Sequence, residues 1–295
     1  MHRIKRMISF VLFVIMVVSF SACAPRELSI EKLFGVITDI TIEQKSIYDE
    51  NGIKVATKGM LGQVEREDRF VSTYFYLQLE VENTTKNKIF ISSNWFSANG
   101  IMLAAYGNTY VEPGATAELN IDLCPPEMER CGISLVKEME FSLLYGAEGA
   151  SDSEYITTDP IVLTTSADQS YVQPAGDEGV VVYSGDEAKI VLKMTEDDDI
   201  RMYVENKLDQ TINVQTQCVS VNGEAIDDYY ENNNHVVPGK KGYSLIAYPR
   251  DLVDTKGANT FGIQITICDD SGDNLAFVQT IKDLGAVTVT LSKES

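Results

Sequence analysis

Histidine is nearly absent from this sequence, which contains only His2 and His235 among its 295 residues. His2 lies in a segment that we expect to be removed, so catalysis of the Ser-His-Asp or Cys-His type would depend on one imidazole. For the same reason, a zinc site could not draw two histidine ligands from one chain. Glycine-rich phosphate loops and CxxC pairs are also lacking. We therefore expect no catalytic residues, no metal site and no enzyme.

Positive charge is scarce as well. The chain carries 24 Lys and Arg against 44 Asp and Glu, a formal net charge of −20. Loss of Arg3, Lys5 and Arg6 with a signal peptide leaves the mature chain near −23. Nucleic acids and anionic membrane surfaces are bound by clustered Lys and Arg, so this charge argues against both as partners. A basic or neutral partner is favoured, and salt should weaken the binding of a basic one.

Long hydrophobic runs are missing too. The longest uncharged apolar stretch, residues 7–20, has fourteen residues and falls short of the ~20 that span a bilayer. It follows a basic stretch and ends at Ser21-Ala22-Cys23, the order of a secretory signal peptide. This ending resembles the lipobox of bacterial lipoproteins, although Phe20 stands where that family usually has Leu.

The lipobox resemblance implies cleavage after residue 22 and a diacylglycerol on Cys23. Two acyl chains, such as palmitate, anchor a protein where one does not. The protein would then be held at the extracellular face of the cell membrane. A plain signal peptide cut near residue 22 or 24, or an uncleaved membrane anchor, is the alternative interpretation.

An internal repeat dominates the rest of the chain. Residues 77–83 (LQLEVEN) recur as residues 200–206 (IRMYVEN), a shift of 123 positions that also carries Asn99-Gly100 onto Asn222-Gly223. Residues 53–58 correspond to residues 188–193 at a shift of 135, so the first copy has about twelve extra residues, 59–70. Ordered landmarks of this kind predict two related domains.

Both copies have the sequence pattern of β-strands. Phe75, Leu77, Leu79 and Val81 alternate with other side chains, the period of two that a half-buried strand requires. Turn sequences such as Asn-Gly and Pro-Gly separate the runs, and helical patterns are short. We predict an all-β protein with two tandem immunoglobulin-like antiparallel β-sandwiches. The expected segments are a signal peptide (1–22), a lipidated tether (23–33), a sandwich (34–165), a linker (166–177) and a second sandwich (178–293).

At these landmarks the chain resembles a family of immunoglobulin-like modules in surface lipoproteins of Firmicutes. The resemblance is carried by residues 48–55 (YDENGIKV) in the first copy and by residues 203–207 (YVENK), 219–223 (VSVNG) and 237–241 (VPGKK) in the second. The first copy departs from the pattern at residues 97–100 (SANG), where Val-Asn-Gly is expected. The resemblance implies an extracellular β-sandwich of uncharacterised role and implies no catalytic residue.

Besides Cys23 the chain has four cysteines, two in each copy. Cys124 and Cys131 bracket a short segment of the first copy, and Cys218 and Cys268 lie in predicted strands of the second. An exported protein can form disulfides, so both intradomain pairings are candidates, although four cysteines allow three pairings. Thiols that stay reduced are the alternative.

Acidic loops raise the question of calcium. Oxygen-bearing side chains concentrate at residues 196–199, 227–228 and 269–274, and such ligands suit Ca²⁺. None of these loops has the EF-hand spacing, and turns prefer the same residue types. We expect no cofactor beyond the lipid on Cys23, with calcium as the less favoured alternative.

Aromatic side chains are the remaining indication of a partner. Tyr229 and Tyr230 lie in a polar loop that continues through an Asn-rich stretch to His235, and Tyr is common in interface hot spots. We take these three residues as candidate ligand contacts, with residues 59–70 as the competing surface. A loop folded onto its own sheet would explain the tyrosines equally well.

Two further aromatic residues precede the first Asn-Gly turn. Trp95 aligns with Cys218 and Phe96 with Val219 at the shift of 123. We expect the two aromatic side chains to pack in the core, as large apolar residues usually do.

These features predict a membrane-anchored, non-enzymatic binding or interaction module at the cell envelope, whose partner is an envelope protein or a glycan. The alternative class is an extracytoplasmic enzyme, such as a carboxylate-based hydrolase, or a solute-capturing receptor. Abundant carboxylates leave a hydrolase pair open by residue type. A solute receptor would normally show α/β alternation in a longer chain, which this sequence does not have.

Overall fold

The computed structural model describes residues 40–67, 70–226, 231–254, 257–270 and 279–292. Two separate hydrophobic cores divide this part of the chain into a first domain, with core residues from Ile40 to Ala167, and a second, with core residues from Ala188 to Leu291. Each core lies between two antiparallel sheets. The prediction of two tandem β-sandwiches of immunoglobulin-like type is confirmed.

The described part of the first domain contains ten strands and one short α-helix. The strands are β1 (Ser46–Glu50), β2 (Ile53–Glu67), β3 (Phe70–Asn83), β4 (Ile89–Ala98), β5 (Ile101–Leu103), β6 (Asn108–Val111), β7 (Thr116–Asp122), β8 (Glu138–Ala147), β9 (Ile156–Thr157) and β10 (Ile161–Thr164). Helix α1 (Pro125–Arg130) follows β7, and a 3-10 turn (Asp152–Glu154) precedes β9. One sheet has the order β1-β2-β3-β7 and the other β10-β8-β4-β5, with β6 paired to β4 and β9 to β8.

The second domain repeats this arrangement. Its strands are β11 (Val180–Ser184), β12 (Ala188–Met194), β13 (Ile200–Asn206), β14 (Ile212–Val221), β15 (Glu224–Ala225), β16 (Glu231–Val236), β17 (Lys241–Ile246), β18 (Asn259–Asp269) and β19 (Thr280–Leu291), with a 3-10 turn at Arg250–Leu252. The sheet orders are β11-β12-β13-β17 and β19-β18-β14-β15, with β16 paired to β14. Strand for strand the orders match those of the first domain, where β9 and β10 together correspond to β19.

Alternating apolar residues build both cores from equivalent positions. Leu79 and Val81 on β3, like Met202 and Val204 on β13, are fully buried. Val81 pairs with Val55 on the neighbouring strand, and Val204 pairs with the residue that the repeat makes equivalent to Val55. The predicted match of Val81 with Val204 is therefore present in the sheet register.

The Glu-Asn ending of these strands has a structural role. The side-chain amide of Asn83 donates to the carbonyl oxygens of Asn87 and Val111 at 2.8 and 2.9 Å. Asn206 makes the equivalent two hydrogen bonds in the second domain, both at 2.8 Å. Both asparagines are buried, so these bonds satisfy polar groups that would otherwise be costly.

Of the extra residues of the first copy, residues 59–67 and 70 are described, and they do not form a separate loop. They lengthen the β2–β3 hairpin, in which pairing continues to Glu67 and Phe70. In the second domain the corresponding hairpin ends at the turn of residues 195–199. The predicted insertion is present, but the expectation that it is a loop is wrong, because the backbone of its described residues is paired as a ladder.

A displaced β-bulge changes one detail of the alignment. In β4 the extra residue follows Ser93, whereas in β14 it follows Cys218. Counted in paired positions of the ladder back from the Asn-Gly turn, Phe96 and Cys218 are both third. Phe96 rather than Trp95 is therefore the structural equivalent of Cys218. Phe96 is buried in the core as expected, whereas Trp95 is partly exposed.

All four described cysteines are free thiols, and the two candidate disulfides are wrong for this fold. Cys268 pairs with the residue five positions along β14 from Cys218, which corresponds to about 16 Å at ~3.3 Å per residue. Cys124 and Cys131 flank α1, whose rise separates their Cα atoms by about 10 Å. A disulfide needs a Cα separation below ~7 Å, so neither pair can bridge without backbone movement.

Candidate functional site

The two sandwiches meet edge to edge. Lys241 at the start of β17 lies beside Ile101 of β5 in parallel pairing, and its N–H donates to the carbonyl oxygen of Gly100 at 3.0 Å. This contact joins sheets of the two domains into one ten-stranded sheet. The Asn99-Gly100 turn of the first domain is thereby hydrogen-bonded to β17, the strand that follows the Pro238-Gly239 turn of the second domain.

Side chains reinforce the junction. Lys240 forms an ion pair with Glu140 of the first domain, and their side chains are only 15% and 19% exposed. Met102 packs against the second core and Tyr243 against the first. Separating a mostly buried ion pair leaves uncompensated charge, so these contacts oppose relative movement of the domains.

The segment expected to be a linker, residues 166–177, is held by both domains. Gln173 accepts a hydrogen bond from the side chain of Asn99 at 3.1 Å. The carbonyl oxygen of Ala175 accepts one from the hydroxyl of Tyr243 at 3.3 Å. The connection therefore helps to set the orientation of the two sandwiches.

A cleft of about 540 Å³ lies between the domains beside this junction. One wall is α1 with the residue that follows it, and the other is the turn between β12 and β13 with parts of β13 and β17. Cavities of this size at domain interfaces are common sites for small ligands. Its charged lining consists of Glu127, Glu129, Arg130, Glu196, Asp197, Asp199 and Arg201.

The charges of the cleft are unbalanced. Arg201 donates to the carbonyl oxygen of Arg130 at 2.9 Å and lies over the ring of Tyr243, 5.3 Å from its centroid. Asp199 is paired with Arg250. Within the described residues, three exposed carboxylates of the lining have no ion-pair partner: Glu129, Glu196 and Asp197. The open part of the cleft therefore favours a cation.

Glu127 lies deeper than these carboxylates. Burial raises the pKa of its carboxyl group above the ordinary value, and a hydrogen bond from the backbone N–H of Ala104 at 3.0 Å and the charge of Arg130 act in the opposite direction. A ligand cation beside Glu127 would favour its charged form in the same way.

The thiols near the candidate sites are poor nucleophiles. Burial raises the pKa of Cys131, in the cleft, to about 12, and it also raises the pKa of Cys268. The thiolate is the reactive form of cysteine, so both groups stay protonated and unreactive near neutral pH.

His235 lies on strand β16, so the expectation that it belongs to an Asn-rich loop is wrong. Its Nδ1 atom is 2.5 Å from Oδ2 of Asp270. Asn213 separates it from Cys268 in the strand ladder, which puts the Cα atoms of His235 and Cys268 about 10 Å apart. The residue types of a Cys-His-Asp site therefore share one sheet face without the hydrogen-bonded contact that catalysis requires.

Several predicted site residues lie outside the described part of the chain. These are Cys23, Tyr229 and Tyr230, together with the acidic residues 227–228 and 271–274. Residues 196–199, the remaining acidic loop, form the β12–β13 turn at the cleft. Within the described ranges, no group of three or more His, Cys, Asp or Glu residues is placed to hold a metal ion. In those same ranges no helix has the length and apolar character to cross a membrane.

The cleft is not predicted by the sequence. The acidic run at residues 196–199 was visible, and so was the charged segment that became α1. Nothing in either run indicated that they face each other, because that juxtaposition depends on how the two domains dock.

No protein-family model matches the chain, and no curated protein is significantly similar to it. Among solved structures it is similar to the YadV chaperone, with 11% identity over 72% of this chain and 92% of that chain and a TM-score of 0.22. It is also similar to a chain of the CsuC–CsuE chaperone–tip adhesion subunit pre-assembly complex of Acinetobacter baumannii (10% identity, 75% and 92% coverage, TM-score 0.21). A red sea bream transglutaminase gives 14% identity, 80% and 31% coverage and a TM-score of 0.21. These TM-scores are too low to support an argument.

Proposed function

We propose that this protein is a lipid-anchored extracytoplasmic binding protein that holds a basic partner in the cleft between its domains, without catalysing a reaction. The signal-peptide pattern of residues 1–22, followed by Cys23, supports the anchor. The interdomain cleft, with its unpaired carboxylates, is the observation that carries the binding function.

The cleft is suited to binding because its walls are fixed before a ligand arrives. The β5–β17 pairing, the Lys240–Glu140 ion pair and the docked segment 166–177 hold the two domains together. A ligand that enters a preformed site loses less free energy to ordering the protein.

Charge selects the class of partner. Glu129, Glu196 and Asp197 can each contact an ammonium or guanidinium group, and the net charge of the mature chain, near −23, attracts cations from a distance. A neutral glycan could donate hydroxyl hydrogen bonds to these carboxylates but could form no ion pair with them. A lysine- or arginine-rich segment of an envelope protein therefore fits better than a glycan.

Calorimetric titration of the unlipidated mature chain, residues 24–295, tests the binding site. We expect a hexalysine peptide to bind, and we expect added salt to weaken the binding because both partners are charged. The variant E129Q/E196Q/D197N should bind about tenfold to a hundredfold more weakly.

The matched control is E80Q/D209N/E224Q, which removes three exposed carboxylates that do not line the cleft. It should bind hexalysine nearly as well as the unaltered chain. Equal weakening by both triple variants would show that net charge alone attracts the peptide. Binding of spermidine in preference to the peptide would favour the solute-receptor alternative.

The anchor needs its own test in cells. Metabolic labelling with an alkyne fatty acid should mark the unaltered protein and leave the Cys23→Ser variant unmarked. Labelling of both to the same extent would contradict lipidation at Cys23.

A further inference from the structure

The acidic cleft between the domains also contains two arginine side chains. Arg201 belongs to β13 of the second domain, and Arg130 ends α1 of the first. Burial and the charge of Glu127 raise the pKa of the Cys131 thiol, and the charges of both arginines act to lower it, so both guanidinium groups lie near this thiol. In the part of the chain that the structure describes, neither guanidinium forms an ion pair with a carboxylate.

Arg201 is held in place by two contacts. Its Nη1 atom donates to the carbonyl oxygen of Arg130 at 2.9 Å, and its guanidinium group lies over the ring of Tyr243. A guanidinium presents its N–H donors in a planar fork, and within the described residues a single one of those of Arg201 has an acceptor. Arg201 is also partly buried, where charged groups are usually paired. Its free donors are therefore suited to bidentate contact with a carboxylate.

The repeat indicates that the fold does not require an arginine at this position. At the shift of 123 positions, Arg201 corresponds to Gln78 on β3. The ladder agrees, because Arg201 pairs with Leu245 on β17 and Gln78 pairs with Asn120 on β7. The side-chain amide of Gln78 donates to that of Asn120 at 3.4 Å, within its own domain, whereas Arg201 reaches across to α1. Arg201 is therefore a feature of the cleft and not of the shared framework.

Positive and negative positions of the cleft lie within reach of one short peptide. Asp197 and Arg201 are four residues apart in the chain, so their Cα atoms are separated by at most ~14 Å. Glu129 lies next to Arg130 on the opposite wall. An extended peptide of about four residues covers the same distance. A ligand whose carboxylate contacts Arg201 can therefore place ammonium groups beside Glu129 and Asp197.

We propose that the cleft recognises a carboxylate of its basic partner at Arg201, with Arg130 as a second positive charge. The inference rests on the proposed function of the cleft and adds a direction to the ligand, with its negative group on the arginines and its lysines on the outer carboxylates. The carboxylate comes from the C-terminus of the partner or from an acidic side chain next to its basic residues. A partner with basic groups alone contacts only part of the site.

Calorimetric titration of the unlipidated mature chain, residues 24–295, with three N-acetylated peptides tests the proposal. They are hexalysine amide, hexalysine with a free C-terminal carboxylate, and hexalysine followed by glutamic acid amide. The last two have the same net charge, one positive charge less than the first. We expect the better of these two to bind about tenfold more tightly than hexalysine amide, because it adds charge-assisted hydrogen bonds. Net charge alone predicts the opposite order.

A pair of matched variants assigns this order to Arg201. Arg201→Met removes the guanidinium group and keeps an apolar stem, so hexalysine amide should then bind at least as tightly as either carboxylate peptide. Lys207→Met also removes one cation that donates to a backbone carbonyl oxygen, that of Gly185 at 2.8 Å, but it lies outside the lining of the cleft. This control should keep the order of the unaltered chain.

The order of affinities is compared within each variant, so a change in domain docking that weakens all three peptides alike does not affect it. Nuclear magnetic resonance of the unaltered chain gives a measurement that needs no variant. The side-chain Nε–H signal of Arg201 should shift with a carboxylate peptide and change little with hexalysine amide.

The three peptides also identify the source of the carboxylate. Tighter binding of the free acid assigns the site to a C-terminus, and tighter binding of the glutamic acid amide assigns it to a side chain. If hexalysine amide binds best while E129Q/E196Q/D197N still weakens it, the carboxylate site is wrong and the basic-partner cleft stands. Arg201→Met that keeps the order of the unaltered chain would also overturn the proposal. Binding of none of the peptides would contradict both the carboxylate site and the proposed function.

Discussion

The two sandwiches agree in what they bury and differ in what they expose. Both have the same strand order, the same buried asparagine and the same Asn-Gly turn, with φ near 51° at Asn99 and at Asn222. The first domain alone has the long β2–β3 hairpin, and it has α1 where the second has a 3-10 turn. The interdomain cleft is lined by α1 and by the short β12–β13 turn that the second domain has in place of the long hairpin, which indicates that the repeat kept its framework and changed its ends.

The largest expected effect comes from the shared cores. Leu79→Ala and Met202→Ala truncate fully buried side chains at equivalent positions, and each should lower the free energy of unfolding of its domain by ~2–5 kcal/mol. Urea denaturation measures both free energies of unfolding. The fluorescence of Trp95, the one tryptophan of the sequence, follows the first domain, and circular dichroism follows both domains. A large cost in one domain with almost none in the other would show that the cores are not equivalent.

The buried asparagines sharpen the comparison. Asn83→Ala and Asn206→Ala should each cost about 2–3 kcal/mol, because each removes an amide that satisfies two carbonyl oxygens in a buried site. Asn87→Ala is the control, since the carbonyl oxygen that it contributes is backbone and is retained. Unequal costs for the two substitutions would contradict a common role for the Glu-Asn motif.

The junction between the domains is expected to contribute less than either core. Glu140→Gln leaves Lys240 without its ion-pair partner and should cost roughly 2 kcal/mol, less than a fully buried pair because both groups keep some contact with solvent. The double variant Glu140→Gln with Lys240→Met should recover part of that loss. If calorimetric unfolding shows that the costs of Glu140→Gln alone and Lys240→Met alone add up to the cost of the double variant, the two residues do not interact.

The smallest effect concerns the thiols and leaves the fold intact. Burial raises the pKa of Cys131 to about 12 and that of Cys218 to about 11, so both remain protonated at pH 8 and should react slowly with iodoacetamide. Cys124 is the most exposed of the four and should be alkylated first. Mass spectrometry that found a Cys124–Cys131 or a Cys218–Cys268 bond in the native protein would contradict the free thiols of this fold.

The fold could be predicted because repeated local signals agreed with one another. Leu79 and Met202 fall in equal registers because period-two burial and the Asn-Gly turns constrain the same strands. His235 was misplaced because Asn-rich sequence has low strand propensity, and pairing with β14 overrides that preference. The sequence alignment places Phe96 one residue away from its structural equivalent, Cys218. The cause is that the bulge lies at different positions in β4 and β14 while the two strands have the same length. The cleft depends on docking between distant segments, which no local pattern encodes.

Hydrogen exchange of the unlipidated mature chain, with and without hexalysine, tests most directly whether the binding site is built from both domains. The cleft predicts slower exchange at residues 125–131 of the first domain and, at the same peptide concentration, at residues 194–201 of the second. The E129Q/E196Q/D197N variant should lose both effects together. Protection confined to one domain, or found only away from these two segments, would contradict a binding cleft between the sandwiches.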